Sequence, residues 1–239
     1  MVPVINYIMQ RKMIVLSLLA FSLAGVTMAQ TSYTNNAIVA IPDGNVVGLT
    51  ETFNVSGLSD PVADVQLSLD ITGGFNGDLY AYLAGPEGQL AILLNRVGVT
   101  GSNPFGYNNA GMNITLDGLA VNNIHDYQDT PGYSLNGTEW AADGRNVNPQ
   151  SSGSVLYGTP TTSGLSMFVN TDPNGLWTLF IADVSGGGGL ANLQQATLTI
   201  MEVPEPRSWA LALVGGVLGW ILIRKKQKKE TSESPFYLQ

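Results

Sequence analysis

The chain of 239 residues has no cysteine and only one histidine, His125. Without cysteine, disulfides, thiolate metal sites and a cysteine nucleophile are all excluded. A Ser-His-Asp triad would have to use His125, and the Gly-x-Ser-x-Gly motif that presents a nucleophilic serine is absent from the sequence. We therefore predict that the protein is not an enzyme. A secreted hydrolase that uses paired carboxylates is an alternative, since Asp and Glu are plentiful.

Basic residues are scarce in the central part of the chain. Residues 30–203 contain fifteen acidic residues but only two basic ones, Arg96 and Arg145, which gives a net charge near −13. Nucleic-acid binding needs clustered Lys and Arg to neutralise phosphates, so we expect no nucleic-acid partner. The other eight basic residues lie in the two chain ends, 1–29 and 204–239. The composition therefore divides the chain into an acidic central domain and two membrane-active ends.

The N-terminal residues 1–29 have the pattern of a secretory signal peptide. Arg11 and Lys12 precede an apolar run of 12 residues from Met13 to Ala24, and small residues follow up to Ala29. This run is short for a membrane span, which needs about 20 residues. We predict export and cleavage after Ala29, with a retained N-terminal anchor as the alternative.

The C-terminal residues combine three features in order. The motif Val203-Pro204-Glu205-Pro206 comes first, an apolar run over 209–223 follows, and five basic residues lie within 224–229. The prolines end the preceding strand and keep the backbone extended. The basic residues hold their end of the segment on the cytoplasmic side of the membrane. We predict a short transmembrane helix over 209–223 and a polar tail over 230–239.

This order resembles the PEP-CTERM sorting signal of exported bacterial proteins, over residues 203–229. The resemblance implies passage through the export machinery and processing near Pro204-Glu205-Pro206 by an exosortase-type enzyme. It also implies delivery to the cell surface or extracellular matrix after a membrane-anchored stage. Arg207, directly after the motif, and the tail over 230–239 depart from the pattern. A plain C-terminal membrane anchor is the alternative interpretation.

Four central segments alternate apolar and polar residues with a period of two, which predicts strands with one face on a core. Their apolar faces lie within Val65–Ile71, Leu79–Leu83, Trp177–Ile181 and Ala196–Ile200. Glycine-rich turns separate these segments, and no segment has a helical period of useful length. We predict one all-β domain over 30–203, folded as a β-sandwich. Long loops are expected between Gly98 and Pro160.

Motifs of the central region resemble, in order, the P domain (or P/Homo B domain) of proprotein convertases and bacterial subtilases. These motifs are Gly77-Asp-Leu79, Gly85-Pro-Glu-Gly88, Gly175-Leu-Trp-Thr-Leu179 and Gly189-Leu-Ala-Asn-Leu193. The similarity covers residues 38–202 and implies a jelly-roll-like β-sandwich. Thr72-Gly73 replace the histidine that this family usually carries before the Gly-Asp-Leu turn.

Calcium is the cofactor that the acidic composition favours, because it takes several oxygen ligands from carboxylates and backbone carbonyls. Asp126 and Asp129 share one loop, and Asp172 and Asp183 lie beside turns, so these four are the candidate ligands. The alternative is that they are solvated or turn carboxylates that keep the domain soluble. Asp78 follows a glycine turn and is expected to cap backbone N–H groups.

Tyr80 and Tyr82 lie two positions apart on a predicted strand, so they share the face opposite Leu79 and Leu83. Aromatic side chains on one face can stack on sugar rings, which makes this pair a candidate ligand face. The alternative is that they pack under a loop or serve as cross-strand partners.

These features together predict an exported, surface-directed, non-enzymatic structural or adhesive component of a bacterial cell surface or extracellular matrix. The alternative is a carbohydrate- or protein-binding accessory module with a polysaccharide or surface-protein partner.

Overall fold

The computed structural model describes residues 29–36, 38–203 and 215–225. The chain divides into two units, one over Ala29–Glu205 and one that groups Met1–Met28 with Pro206–Gln239. In the second unit the described residues, 215–225, form an α-helix. No helix of the described ranges combines the length and the apolar character that a membrane crossing needs. The predicted signal peptide up to residue 28, the motif residues 204–206 and the first part of the predicted membrane segment, 209–214, lie outside the described residues.

The described residues of the Ala29–Glu205 unit form ten strands, which makes the fold class all-β, as predicted. They are β1 Ala29–Asn35, β2 Val39–Ile41, β3 Asn45–Val55, β4 Val62–Phe75, β5 Leu79–Ala84, β6 Leu90–Asn95, β7 Ala110–Asp117, β8 Asn136–Trp140, β9 Gly175–Asp183 and β10 Ala191–Glu202. Short helices interrupt them: the 3-10 helices η1 Asn76–Asp78, η2 Ile124–Asp129 and η3 Leu165–Phe168, and the α-helix α1 Gly153–Gly158.

The strands form two sheets. The six-stranded sheet has the order β1-β10-β4-β7-β8, with β2 also beside β10, and the four-stranded sheet has the order β3-β9-β5-β6. Every pairing between these strands is antiparallel except that of β7 with β8, which is parallel. The first and last strands are neighbours, since Ala29 is the register partner of Glu202.

One apolar cluster joins side chains of both sheets. Leu67 and Leu69 of β4 and Leu179 of β9 are fully buried, as their period of two predicted. Burying an aliphatic side chain of this kind contributes about 1.5–3 kcal/mol. Trp177 is also fully buried, and its indole N–H donates to the carbonyl of Pro173 at 2.8 Å, so its polar atom keeps a partner inside the core.

The region between Gly98 and Pro160 contains more regular structure than expected. It includes β7, which lies between β4 and β8 within the larger sheet. Met112, Ile114 and Leu116 of β7 point into the core and are buried. The same alternation is present in the sequence, but three apolar residues among many Asn and Gly residues are a weak signal. The expected long connections are present, over 96–109, 118–135 and 141–174, and β7 and the short strand β8 lie between them.

Candidate functional site

His125 lies inside the protein with both ring nitrogens occupied. Its Nδ1 is 2.7 Å from a carboxylate oxygen of Asp143 and its Nε2 is 3.0 Å from the carbonyl oxygen of Val99. Asp143 and Val99 thus engage the two sides of the ring, and each ring nitrogen has a hydrogen-bond partner within the protein. The imidazole and the Asp143 carboxylate are both fully buried. His125 is therefore tied into the core through both ring nitrogens.

Asp143 anchors the polypeptide around this histidine. Its carboxylate also accepts from the backbone N–H of Asn95 at 3.2 Å and from the guanidinium of Arg145 at 3.2 Å. A carboxylate with cationic and amide donors on both oxygens is well compensated in a buried position. These hydrogen bonds join β6 to the segment after β8, so the network stabilises the fold.

The four candidate calcium ligands do not form one group: Asp126 and Asp129 both lie in η2, whereas Asp172 and Asp183 lie near opposite ends of β9. Asp126 pairs with Arg145 at 3.6 Å, and Asp129 is exposed at the end of η2. Asp172 is exposed, and hydrogen bonds from its own turn hold its pKa below the usual value. Asp183 is fully buried at the end of β9. Within residues 29–36, 38–203 and 215–225, no group of three or more His, Asp or Glu side chains is placed to hold a metal ion. Calcium binding stays a prediction.

Tyr80 and Tyr82 lie on the face of β5 opposite the core, as the alternation predicted, and are half-buried. Tyr82 stacks on Phe180, its register partner on β9, with ring centroids 4.9 Å apart and planes 18° apart. Tyr80 meets Tyr82 edge-on at 6.1 Å. The ring faces of Tyr82 and Phe180 are thus used within the protein, which favours the cross-strand interpretation of these tyrosines. Phe180 was missed, although it alternates with Leu179 and Ile181 in the sequence.

A pocket of about 160 Å³ lies where three loops meet, and we call it the Phe pocket. It is lined by Phe75, Asp78, Phe105, Gly106, Asn108, Ser185, Gly186 and Gly187. The phenylalanines are exposed to 37% and 77%, whereas Asp78 is exposed to only 5%. The pocket therefore combines accessible aromatic rings with a largely buried carboxyl group.

Backbone contacts hold the loops of the Phe pocket in place. The N–H of Val184 donates to the carbonyl of Asp78 at 2.8 Å, which joins the end of β9 to η1. The N–H of Gly187 donates to the Asp43 carboxylate at 3.1 Å. Gly188 has a positive φ of 72°, and a Cβ there would lie 2.5 Å from the ring of Phe75. Glycine is required at this position because the ring lies directly on the backbone.

Two carboxyl groups beside the Phe pocket have raised pKa values. Burial raises the pKa of Asp183 to about 6, and the nearby charges of Asp78 and Asp43 add to the rise. Burial also raises the pKa of Asp78, against the opposing effects of a hydrogen bond to the Ser185 side chain and of the Arg96 charge. We expected the side chain of Asp78 to cap backbone N–H groups. Its carboxylate instead accepts a hydrogen bond from the Ser185 hydroxyl. The pocket thus lies at a concentration of negative charge.

At the C-terminal end, the described part of the sorting region is small. Val203 is the only residue of the Val203–Pro206 motif that the structure describes, and its N–H donates to the carbonyl of Pro61 at 2.9 Å. In the helix 215–225, the guanidinium of Arg224 lies 4.1 Å from the ring centre of Trp220. This contact is a cation–π interaction on an exposed helix surface.

Comparison with known proteins finds few similarities. No protein-family model and no curated protein matches the chain. Among solved structures, the chain is similar to the serine protease of Aeromonas sobria in complex with its chaperone (ORF2), with 15% identity and a TM-score of 0.43. The structure of that protease alone gives 15% identity and a TM-score of 0.42. The matches cover 78% and 79% of this chain but 29% of each protease chain.

Proposed function

We propose that the chain is an exported, non-enzymatic adhesive component of a bacterial cell surface or extracellular matrix. In this proposal the central unit is a jelly-roll-like β-sandwich of P-domain type, and it contacts a protein partner through its loops. The PEP-CTERM-like C-terminal segment retains the protein in the membrane until an exosortase-type enzyme processes it. The central unit is the part that remains displayed.

The observation that carries the adhesive role is the Phe pocket. Phe105 is largely exposed at its rim, and an exposed aromatic side chain beside a cleft is typical of a contact site. The contacts of both His125 ring nitrogens with Asp143 and Val99 support a non-enzymatic role, because they commit the one histidine of the chain to the fold.

The experiment that tests the proposal is mass spectrometry of the mature protein from the surface fraction of a bacterium that has an exosortase. We expect an N-terminus at Gln30 and a C-terminus upstream of Lys229. A triple variant with Pro204→Ala, Glu205→Ala and Pro206→Ala is expected to keep Lys229 and to stay in the membrane fraction. Arg207→Ala is the control, because Arg207 lies outside the motif, and it is expected to be processed normally.

Two outcomes of this experiment would contradict the proposal. Surface material that always retains Lys229 would show that no processing occurs upstream of that residue. Recovery of the whole product in the cytosol would exclude export altogether.

A further inference from the structure

The C-terminal segment leaves the Ala29–Glu205 unit from a fixed place on the fold. Glu202, the last residue of β10, is buried, and its Oε1 accepts from the backbone N–H groups of Ser59 and Asp60 at 2.8 Å and 2.9 Å. The N–H of Val203 donates to the carbonyl of Pro61 at 2.9 Å. The chain is therefore held to the loop between β3 and β4 as far as Val203. We call this end of the sheets the exit end.

The turn over 118–122, which follows β7, also lies at the exit end. β7 ends at Asp117, and a Cβ on the next residue, Gly118, would lie 2.5 Å from a carboxylate oxygen of Asp64 on β4. The register partner of Asp64 on β10 is Met201. Neighbouring strands are about 4.8 Å apart, so this turn lies roughly 10 Å from the end of β10.

Two aliphatic side chains are exposed on this turn. Leu119 is exposed to 76% and Val121 to 92%. The Oδ1 of Asp117 accepts from the N–H of Leu119 at 2.6 Å, and the carbonyl of Asp117 accepts from the N–H of Ala120 at 3.3 Å. Hydrogen bonds thus fix the turn that exposes them. Exposed apolar side chains on an ordered turn are typical of a surface that contacts a membrane or a partner.

Exposure alone does not show what covers this turn. Phe105 is exposed to 77% beside the Phe pocket, which lies at the other end of the sheets, since β4 runs from Val62 at the exit end to Phe75 at the pocket. The exit end differs in the chain that leaves it. The predicted membrane segment begins at residue 209, six residues after Val203, and six residues span at most about 21 Å. In the membrane-anchored stage, lipid therefore lies within that distance of Val203.

We propose that the turn over 118–122 contacts the lipid surface of the bilayer that anchors the C-terminal segment. Leu119 and Val121 are the side chains that enter the interface, where exposed aliphatic groups gain from leaving water. The Phe pocket, at the opposite end of the sheets, is then turned away from the membrane. This inference rests on the proposed function, for whose anchored stage it names lipid as the partner of the exit end.

The charges of the exit end select the kind of lipid surface. Asp60 bonds to Glu202 through its N–H, and the exposed Asp172 follows Thr171, whose carbonyl accepts from the N–H of Val62. Both carboxylates lie at the exit end and would be repelled by anionic headgroups. We therefore expect contact with a zwitterionic surface, and phosphatidylcholine vesicles are the probe.

A single label tests this contact, because the chain has no cysteine of its own. The full chain with Leu119→Cys is labelled with nitrobenzoxadiazole and anchored in vesicles that contain phosphatidylcholine with a nitroxide in its acyl chain, which quenches only at contact range. We expect the label to lose most of its fluorescence. Phe105→Cys is the matched control, since Phe105 is equally exposed at the opposite end, and its label is expected to keep its fluorescence.

A second pair of variants tests the role of the aliphatic side chains. A label on Val121→Cys is expected to be quenched as well, and to be quenched less when Leu119→Ser is added, because the turn then inserts less deeply. Both side chains are exposed, so the fold is expected to be retained. Circular dichroism of each labelled chain checks this.

Three outcomes would overturn the proposal. Equal quenching at positions 119 and 105 would show that the contact is not specific to the exit end. A blue shift of the label at 119 without quenching would place the turn against protein instead of lipid. If the label at 119 is neither shifted nor quenched while the chain floats with the vesicles, the lipid contact fails and the proposed function stands. A chain that does not float with the vesicles would contradict the anchored stage itself, and with it both proposals.

Discussion

Asp64 is a carboxyl group on the polar face of β4 that the fold nevertheless buries. It is exposed to 4%, and its Oδ2 has no hydrogen-bond partner. Burial raises its pKa to about 6 from an ordinary 3.8, and the charge of Asp117 adds to the rise. The folded state therefore favours the protonated form. The contribution of protonated Asp64 to the free energy of unfolding is fully present below pH 3.8. It is lost as the pH rises through 6.

Replacing Asp64 by Asn should remove the loss of stability that ionisation of Asp64 causes at high pH. The amide is neutral at every pH and can donate to Asp117, which the ionised carboxylate cannot do. We expect Asp64→Asn to raise the Tm at pH 8 by about 2–4 °C, or about 1 kcal/mol, and to have a smaller effect at pH 4. Thermal unfolding followed by circular dichroism measures this difference. Asp70→Asn, on the same face of β4, is the control and should change little at either pH. A lower Tm for Asp64→Asn at pH 8 would contradict the assignment.

For Asp64, the sequence predicts the face of the strand but not the burial of the side chain. Its position in the alternating pattern correctly places it on the polar face of β4. The pattern contains no information on Gly118, which packs so closely that a Cβ there would lie 2.5 Å from a carboxylate oxygen of Asp64. The same limit applies to the four candidate calcium ligands, because an acidic composition does not show which carboxylates lie close together in the folded chain.

Among the elements, η1 and the loop after β6 approach each other unusually closely. Gly106 has a positive φ of 74°, and a Cβ there would lie 2.6 Å from the carbonyl of Val97 and 2.9 Å from the Cα of Gly77. The N–H of Gly77 donates to the carbonyl of Tyr107 at 2.8 Å. This backbone contact forms one wall of the Phe pocket, and it leaves no space for a side chain.

The close contact between η1 and the loop after β6 can be tested by comparing the stability losses from two glycine substitutions. Gly132 also has a positive φ, of 68°, but a Cβ there would have no other atom within 4 Å. Gly132→Ala should therefore cost about 1 kcal/mol from backbone strain alone. Gly106→Ala should cost a further 1–3 kcal/mol, roughly, because the loop must move away from η1. Urea denaturation measures both free energies of unfolding. Equal losses would mean that the two segments are not in tight contact.

Strands with a long alternating pattern were predicted well, and elements that depend on distant partners were not. The buried faces of β4, β5, β9 and β10 follow directly from their period of two. The Phe pocket brings together residues from 75–78, 105–108 and 185–187. No local pattern links these three segments, since their approach is set by the pairing of β5 with β9 and by the backbone contact of η1 with the loop after β6.

At the scale of the whole molecule, the chain divides into the Ala29–Glu205 unit and a unit that groups the two chain ends, to which our proposal assigns delivery. The Ala29–Glu205 unit contains both sheets and the Phe pocket. It also contains only two of the ten basic residues, whereas five lie within 224–229. Folding and binding are therefore expected to depend on the central unit, and attachment to the cell on the C-terminal segment.

A variant that ends at Glu205 tests this separation. It keeps all ten strands, including the last residue pair of β10 with β1, and it loses the apolar run over 209–223 with the basic residues after it. We expect the same Tm within about 1 °C, because the deleted residues belong to the other unit. The full chain should be found with the cell envelope, while the shortened chain should appear in the culture medium. A matched variant that ends at Val203 also loses Pro204 and Glu205, and the comparison shows whether they contribute to stability. A shortened chain that remains attached to cells would show that the central unit itself provides the anchor.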